Sequence, residues 1–274
     1  MFVDLVYSLP TFLLGVIIIA LSVGGSLAGL VVFHRYVSIE VRRAHNDVAG
    51  FIISVVGVIY AVLLAFIAVA VWADFNKAEG IVEREASLAG DIFVDATNTP
   101  EPVGGEIRRD LREYVDLVVH DEWPALRAHK RSERAAAALR ELHKAVFRSV
   151  DRGPVFQEIL DRLNSLYDAR RERLFEADQG LQSIAWFVVI VGGVLTVAFT
   201  YFFGAPSLRL HMAMTGVLAA SIALVIILIV AFDYPFRGAA SLTSEPFIKV
   251  LRDMSGGPSQ SADAPATSSV PRGG

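Results

Sequence analysis

Cysteine is absent from the chain, so disulfides, a thiolate nucleophile and cysteine metal sites are all excluded. Charged residues make up only 20% of the 274 residues, and the basic ones form no tract interleaved with aromatics, which excludes a nucleic-acid surface. The six histidines lack paired ligand spacing, and neither a glycine-rich phosphate loop nor a GxSxG turn is present. The sequence therefore predicts a protein that is not an enzyme and that holds no metal or cofactor.

Charge is missing above all from four long windows, although 54% of the residues are hydrophobic. A helix needs about 20 apolar residues to cross the hydrocarbon layer, because only a helix satisfies its own backbone hydrogen bonds there. Each window reaches that length: 11–33, 48–73, 183–203 and 212–232. We therefore predict a multi-pass protein of the cell membrane, with the lipid bilayer as its first partner.

Most charged residues lie in the segment between the second and third windows. Apolar residues recur there every three to four positions, with no alternating strand pattern, which predicts helix throughout. Breaks at 97–105 and at Gly153-Pro154 separate its helices, and the outer two continue the membrane helices. Such stems either relay movement between this segment and the bilayer or belong to a passive bundle. We also expect Asn46 or Asp47 to cap the second membrane helix.

The predicted fold class is all-α: a four-helix transmembrane protein with a helical extramembrane domain inserted between the second and third membrane helices. Within that domain, Asp121 and Glu122 next to His120 could bind a metal or do acid–base work, but such a run on a charged amphipathic helix is more often a solvated face. The predicted segments are an N-terminal segment (1–10), a first transmembrane hairpin (11–73), the helical domain (74–180), a second hairpin (181–233), a membrane-proximal C-terminal segment (234–254) and a disordered tail (255–274).

Orientation follows from the basic residues near the membrane. Eight lie on the side of the middle domain and four in the two connectors that join the membrane helices, which predicts that this domain and both termini are cytoplasmic. Three of the four, Arg35, Arg42 and Arg43, stand in the first connector, 34–47. There they are either a basic outer mouth that concentrates anions or ordinary solvated arginines.

The second membrane helix carries a stripe of small residues at helical spacing: Gly50, Ser54, Gly57, Ala61, Ala65 and Ala68. Small residues let helices approach closely in lipid, so packing is one interpretation of the stripe. The rival interpretation is that the helix lines a pore, in which Val58, Val62 and Phe66, one turn apart, form an apolar constriction. No window has an ionisable residue at its centre, which favours a channel or a signalling protein over a proton-coupled carrier.

Several spaced motifs resemble the bacterial bestrophin-like membrane family. They are His45 to Gly50 followed by Val58 to Phe66, then Glu122 to Pro124, Arg170 to Leu174, and Pro235 to Gly238. Within them the motif positions that we single out are Asn46, Trp123, Pro124, Pro235, Phe236 and Gly238. The resemblance extends over roughly residues 10 to 250.

Bestrophins are pentameric anion channels, so the resemblance implies a homo-oligomer, with a pentamer as the family arrangement, and inorganic ions as its partners. It also implies that the second membrane helix lines the pore, with its neck at Val58, Val62 and Phe66. No acidic cluster similar to the calcium clasp of animal bestrophins is present. The sequence therefore predicts an anion-conducting channel, and the alternative is a non-conducting membrane scaffold or signalling protein that relays the state of its helical domain.

Overall fold

All regular secondary structure is helical in the computed structural model, which describes residues 11–148, 152–238 and 240–256. The helices are α1 (Thr11–Tyr36), α2 (Ile39–Ala44), α3 (Asn46–Asp95), α4 (Val103–Leu117), α5 (Trp123–Arg127), α6 (Glu133–Phe147), α7 (Pro154–Asp178), α8 (Ser183–Thr200), α9 (Leu208–Asp233) and α10 (Glu245–Gly256). A short 3₁₀ turn, Ala96–Asn98, follows α3, and a π-helical turn, Val118–Glu122, joins α4 to α5. The predicted all-α class is confirmed.

Four of these elements are long and apolar enough to cross a membrane: α1, the first half of α3, α8 and α9. In this layer α1 packs on α9, and α3 packs on both α8 and α9. The close approach of α3 and α8 depends on Gly192, where a Cβ atom would lie 2.5 Å from the ring of Tyr60. The Tyr60 hydroxyl donates to the Val189 carbonyl at 2.7 Å, so one aromatic side chain joins α3 to α8. The four predicted crossings are confirmed.

Helix α3 runs without interruption for 50 residues, through the predicted end of the first hairpin at position 73. At about 1.5 Å per residue it is about 75 Å long, more than twice the hydrocarbon thickness. The predicted continuation of the second crossing into the middle domain is confirmed. The predicted cap was wrong, because no side chain caps the start of α3 and the Asn46 amide instead reaches Gly204 in the other connector.

The second predicted stem differs, because α7 ends at Asp178 and α8 begins only at Ser183. The Asp233 carboxylate accepts a hydrogen bond from the Leu181 backbone at 2.5 Å, which satisfies a donor that the interruption frees. A Cβ atom at Gly180 would lie 2.5 Å from the Tyr234 ring, so the break also needs a glycine there. The third crossing is therefore joined to the middle domain through the non-helical segment 179–182 rather than by a continuous helix.

The middle domain packs α3, α4, α6 and α7 around one apolar core, and α10 closes it. The amphipathic α10 lies partly within the predicted membrane-proximal segment, and buries Phe247 and Met254 against α3 and α4. Ser255 and Gly256 are its last residues, so they correct the predicted start of the disordered tail. The predicted N-terminal segment and the tail from 257 onward lie outside the described residues.

Candidate functional site

The membrane half of α3 has two different faces. Tyr60, Leu64 and Val71 are buried against α8 and α9. The predicted constriction residues lie on another face and are uncovered: Val58 is 63% exposed, Val62 48% and Phe66 69%. One side of this helix is thus packed within the protomer, and the side with the three large apolar residues is not.

The stripe of small residues flanks this uncovered face, and its first part, from Gly50 to Ala61, is hardly packed within the protomer. Ser54 and Ala61 are exposed. No heavy atom lies within 4 Å of a Cβ atom built at Gly57, and at Gly50 the nearest is a Phe203 ring carbon at 3.9 Å. Ala68, at the other end of the stripe, packs against the Tyr60 cluster, so only the part from Gly50 to Ala61 is left without close contacts among the described residues of one protomer.

The two connectors on the far side of the membrane are joined to each other by polar side chains. The Asn46 carboxamide accepts from the Gly204 N–H at 2.8 Å and donates to its carbonyl at 3.5 Å. Arg42 is only 3% exposed and donates from Nη1 to the Tyr201 and Phe203 carbonyls at 3.4 Å each. The Arg42 guanidinium lies at the C-terminal end of α8, where its positive charge interacts favourably with the negative end of the helix dipole. Arg42 thus joins the connector of the first hairpin to that of the second.

The other two arginines of the first connector, Arg35 and Arg43, are exposed. Neither forms an ion pair with an acidic side chain among the residues that the structure describes. They are the members of the predicted basic mouth whose side chains are accessible to solvent.

A buried charge network lies where the middle domain meets the membrane helices. Arg173 of α7 is fully buried and donates from Nε and Nη2 to the Glu85 carboxylate at 2.6 and 3.0 Å. Its Nη2 also reaches Glu122 at 2.7 Å, and Arg170 donates to the same carboxylate at 2.5 Å. The Tyr114 hydroxyl completes the network by donating to Glu85 at 2.6 Å. Side chains from α3, α4, the π-helical turn and α7 are thereby fixed to one another.

Electrostatic interactions inside the network favour the charged forms of Glu122 and Arg173 and the neutral form of Tyr114. Burial alone raises the pKa of Glu122, but the guanidinium groups of Arg173 and Arg170 outweigh it and hold the pKa below its ordinary value. Burial opposes the charge of Arg173, and the two carboxylates more than offset it, so its pKa is raised. Burial and the Glu85 charge raise the pKa of Tyr114, which stays a neutral hydrogen-bond donor. A network of this kind is costly to break, because one lost partner leaves an uncompensated buried charge.

The predicted solvated face was therefore wrong at Glu122, which is 0% exposed. The π-helical turn that carries Glu122 ends immediately before Trp123, and both side chains are buried in the domain. His120 stays exposed, whereas Asp121 accepts hydrogen bonds from Ser132 and Arg134. No group of three metal-ligating side chains occurs among the described residues.

Three of the spaced sequence motifs, those of Trp123, Arg173 and Phe236, converge on this network. Trp123 packs edge-on against Phe236 with ring centroids 5.7 Å apart, and its indole N–H donates to the Leu242 carbonyl at 3.2 Å. The Arg173 guanidinium lies over the Trp123 ring, 5.4 Å from the centroid. Gly238, at φ 79°, ends the turn that positions Phe236. Residues far apart in the chain therefore form one joint between the membrane layer and the middle domain.

Comparison with known proteins identifies the family. Residues 20–247 match the Bestrophin-like domain. The chain belongs to the Bestrophin-like family. Comparison with curated proteins finds no sequence match.

Solved structures show the same fold. A crystal structure of a bacterial bestrophin homologue from Klebsiella pneumoniae, in a variant form, has a TM-score of 0.66 at 12% identity, covering 86% of this chain and 98% of that one. A second variant of that homologue has a TM-score of 0.66 at 13% identity, with coverage of 88% and 99%. A structure described as a membrane protein has a TM-score of 0.67 at 12% identity, with coverage of 88% and 98%. The family supports a bestrophin-type channel, and the solved structures support its fold.

Proposed function

We propose that this Bestrophin-like protein is a homo-oligomeric ion channel that conducts anions, with α3 lining its pore. The observation that carries the proposal is the uncovered face of α3, where Val58, Val62 and Phe66 are exposed although the opposite face is packed. Apolar side chains from several copies of this face around a common axis form a constriction that gates by dewetting. A pentamer is the arrangement that the family suggests.

The small residues beside that face are proposed to pack protomer against protomer. Gly50, Ser54, Gly57 and Ala61 leave room for a neighbouring helix, and close packing is what drives helix association in lipid. Because the chain contains no cysteine, Ala61→Cys introduces a single thiol for cross-linking in the membrane. We expect short bifunctional thiol reagents to give a covalent dimer, because the single thiol of each protomer can be joined to only one other thiol. A monomer at every reagent length would exclude Ala61 from the interface.

Anion preference is proposed to arise partly at the mouth, where Arg35 and Arg43 are exposed. In the proposed orientation this mouth faces outward, and the middle domain lies in the cytoplasm. Omitting the buried Arg173 and Arg237 on one side and Arg42 on the other leaves six basic residues against three, the same two-to-one excess.

Currents through purified protein in planar bilayers test the channel directly. We expect a reversal potential near that of chloride in a chloride gradient, and a larger conductance for Phe66→Ala because the constriction widens. Leu224→Ala is the matched control, since Leu224 is an exposed apolar residue of α9 and 59% accessible. Silence of the intact oligomer at all voltages and ions would refute the channel and favour the membrane scaffold. Equal effects of both substitutions would refute pore lining by Phe66.

A further inference from the structure

The loop between α5 and α6 exposes a cluster of cations. Arg127, Lys130, Arg131 and Arg134 all have exposed side chains within eight consecutive positions. We call residues 127–134 the basic loop. The acidic residue in it is Glu133, so its formal charge is strongly positive.

Backbone hydrogen bonds hold the basic loop in one conformation. His129 has a φ of 56°, and its N–H donates to the Leu126 carbonyl at 3.0 Å. The next N–H, of Lys130, donates to the Ala125 carbonyl at 2.8 Å. This pair of bonds is the Schellman arrangement that ends a helix. The cations are therefore presented by an ordered turn.

The basic loop lies at the membrane end of the middle domain. Arg131 donates to Asp178 at 2.6 Å, and His129 Nδ1 lies 3.7 Å from the same carboxylate. Asp178 is the last residue of α7, and the membrane helix α8 begins at Ser183, so the loop is within about 18 Å of that helix along the chain.

A neighbouring ion pair places this end of α7 more closely. Glu176, two residues before Asp178, pairs with Lys77 of α3 at 2.6 Å. Lys77 is four residues beyond the apolar window that ends at Ala73, which is about 6 Å along the helix axis. This level is within a Debye length of the headgroups at physiological ionic strength.

Two cations of the basic loop are not neutralised. Arg131 is paired with Asp178, and Arg134 with Asp121. Arg127 and Lys130 form no ion pair with any acidic side chain among the described residues. Their charge faces solvent next to the bilayer.

We propose that the basic loop is a docking surface for anionic phospholipid headgroups of the leaflet that the middle domain faces. Charge complementarity defines the partner, since a basic segment beside a membrane attracts anionic lipid, and Arg127 and Lys130 supply the free charge. Lipid docked there would lie beside the end of α7, where Arg131 and His129 contact Asp178 just before the helix break at 179–182. The surface does not depend on whether the protein conducts.

The test measures lipid binding to the full-length protein in detergent. Ala128→Cys, exposed in the loop, carries an environment-sensitive fluorophore as the only thiol label in the chain. We expect a saturable signal with short-chain phosphatidylglycerol and none with the matching phosphatidylcholine. Arg127→Gln and Lys130→Gln should each weaken the affinity about fivefold, as expected for one cation near an anionic surface.

Arg140→Gln and Lys144→Gln are matched controls, because both cations are exposed on α6 as it runs away from the loop. They should leave the affinity unchanged. Equal responses to the two lipids, or equal effects of control and loop substitutions, would overturn the proposal. A response to inorganic phosphate as strong as that to phosphatidylglycerol would assign the loop to soluble anions and also overturn it. All variants replace exposed side chains, and an unchanged melting temperature verifies that they are folded.

Discussion

Replacing Arg173 by methionine should destabilise the protein more than almost any other single substitution outside the membrane. Methionine preserves much of the side-chain length but removes three charge-assisted hydrogen bonds to Glu85 and Glu122. Glu85 is then a fully buried carboxylate with Tyr114 as its remaining described hydrogen-bond partner, whereas Glu122 keeps Arg170. Removing one member of a buried pair costs about 3–5 kcal/mol, which corresponds to a melting temperature lower by roughly 10 °C in a chain of this size.

Thermal unfolding of the purified protein in detergent, followed by tryptophan fluorescence, measures this loss. Arg171→Met is the matched control on the same helix, because Arg171 is 80% exposed and its pair with Asp168 lies on the surface. A surface pair of this kind contributes at most about 1 kcal/mol, so the control should melt within about 3 °C of the wild type.

A second substitution tests the physical cause. Adding Glu85→Gln to Arg173→Met neutralises the stranded carboxylate, so the double variant should recover part of the lost stability. Equal melting temperatures for Arg173→Met and Arg171→Met would refute the assignment of the network as the joint between the two layers. A double variant less stable than Arg173→Met alone would refute uncompensated charge as the reason.

Thermal unfolding should give three further outcomes. Two concern single variants at one pH, and the third compares the wild type with a variant over a pH series. Asn46→Ala removes both hydrogen bonds to Gly204 and should cost about 1–2 kcal/mol. Gly192→Ala places a Cβ atom 2.5 Å from the Tyr60 ring and should cost about 1–3 kcal/mol through overpacking. Because the folded-state pKa of Glu122 is lowered, its contribution is complete above its ordinary value of 4.5 and is lost as the pH falls through the folded value, so Glu122→Gln should flatten the acid limb.

Each of these outcomes has a matched control. Asp47→Ala alters the exposed neighbour of Asn46 and should be close to neutral. Gly80→Ala has no heavy atom within 4 Å of the new Cβ and should stabilise α3 by about 0.5–1 kcal/mol. Glu133→Gln changes an exposed carboxylate and should leave the acid limb as it is. A control that matches its partner variant would contradict the structural reason given for that variant.

Hydropathy sufficed to predict the four crossings, because each membrane helix is a local property of its own window. The break before α8 was not predictable in this way, since the partner that satisfies Leu181 is Asp233, 52 residues further along the chain. The charge pattern likewise did not predict the burial and pairing of Arg173, because its carboxylate partner Glu85 is 88 residues away. Exposed and buried charges look alike in a sequence, and only packing separates them.

Helix α10 could have been found from its sequence. Phe247, Val250, Leu251 and Met254 recur at the spacing of an amphipathic helix, and the short segment was overlooked beside the glycine- and serine-rich residues that follow it. The proposed pore residues are a different case, since one helix face can be read from the sequence but its neighbours in the proposed oligomer belong to other protomers.

The unbroken course of α3 limits how the chain can change in length. One residue inserted near Ala73 would rotate every later residue of the helix by about 100° relative to the membrane half, and would turn Glu85 away from Arg173. Seven inserted residues restore the direction to within about 20°, but they displace the middle domain by about 10 Å. Insertions and deletions should therefore be poorly tolerated along this rod.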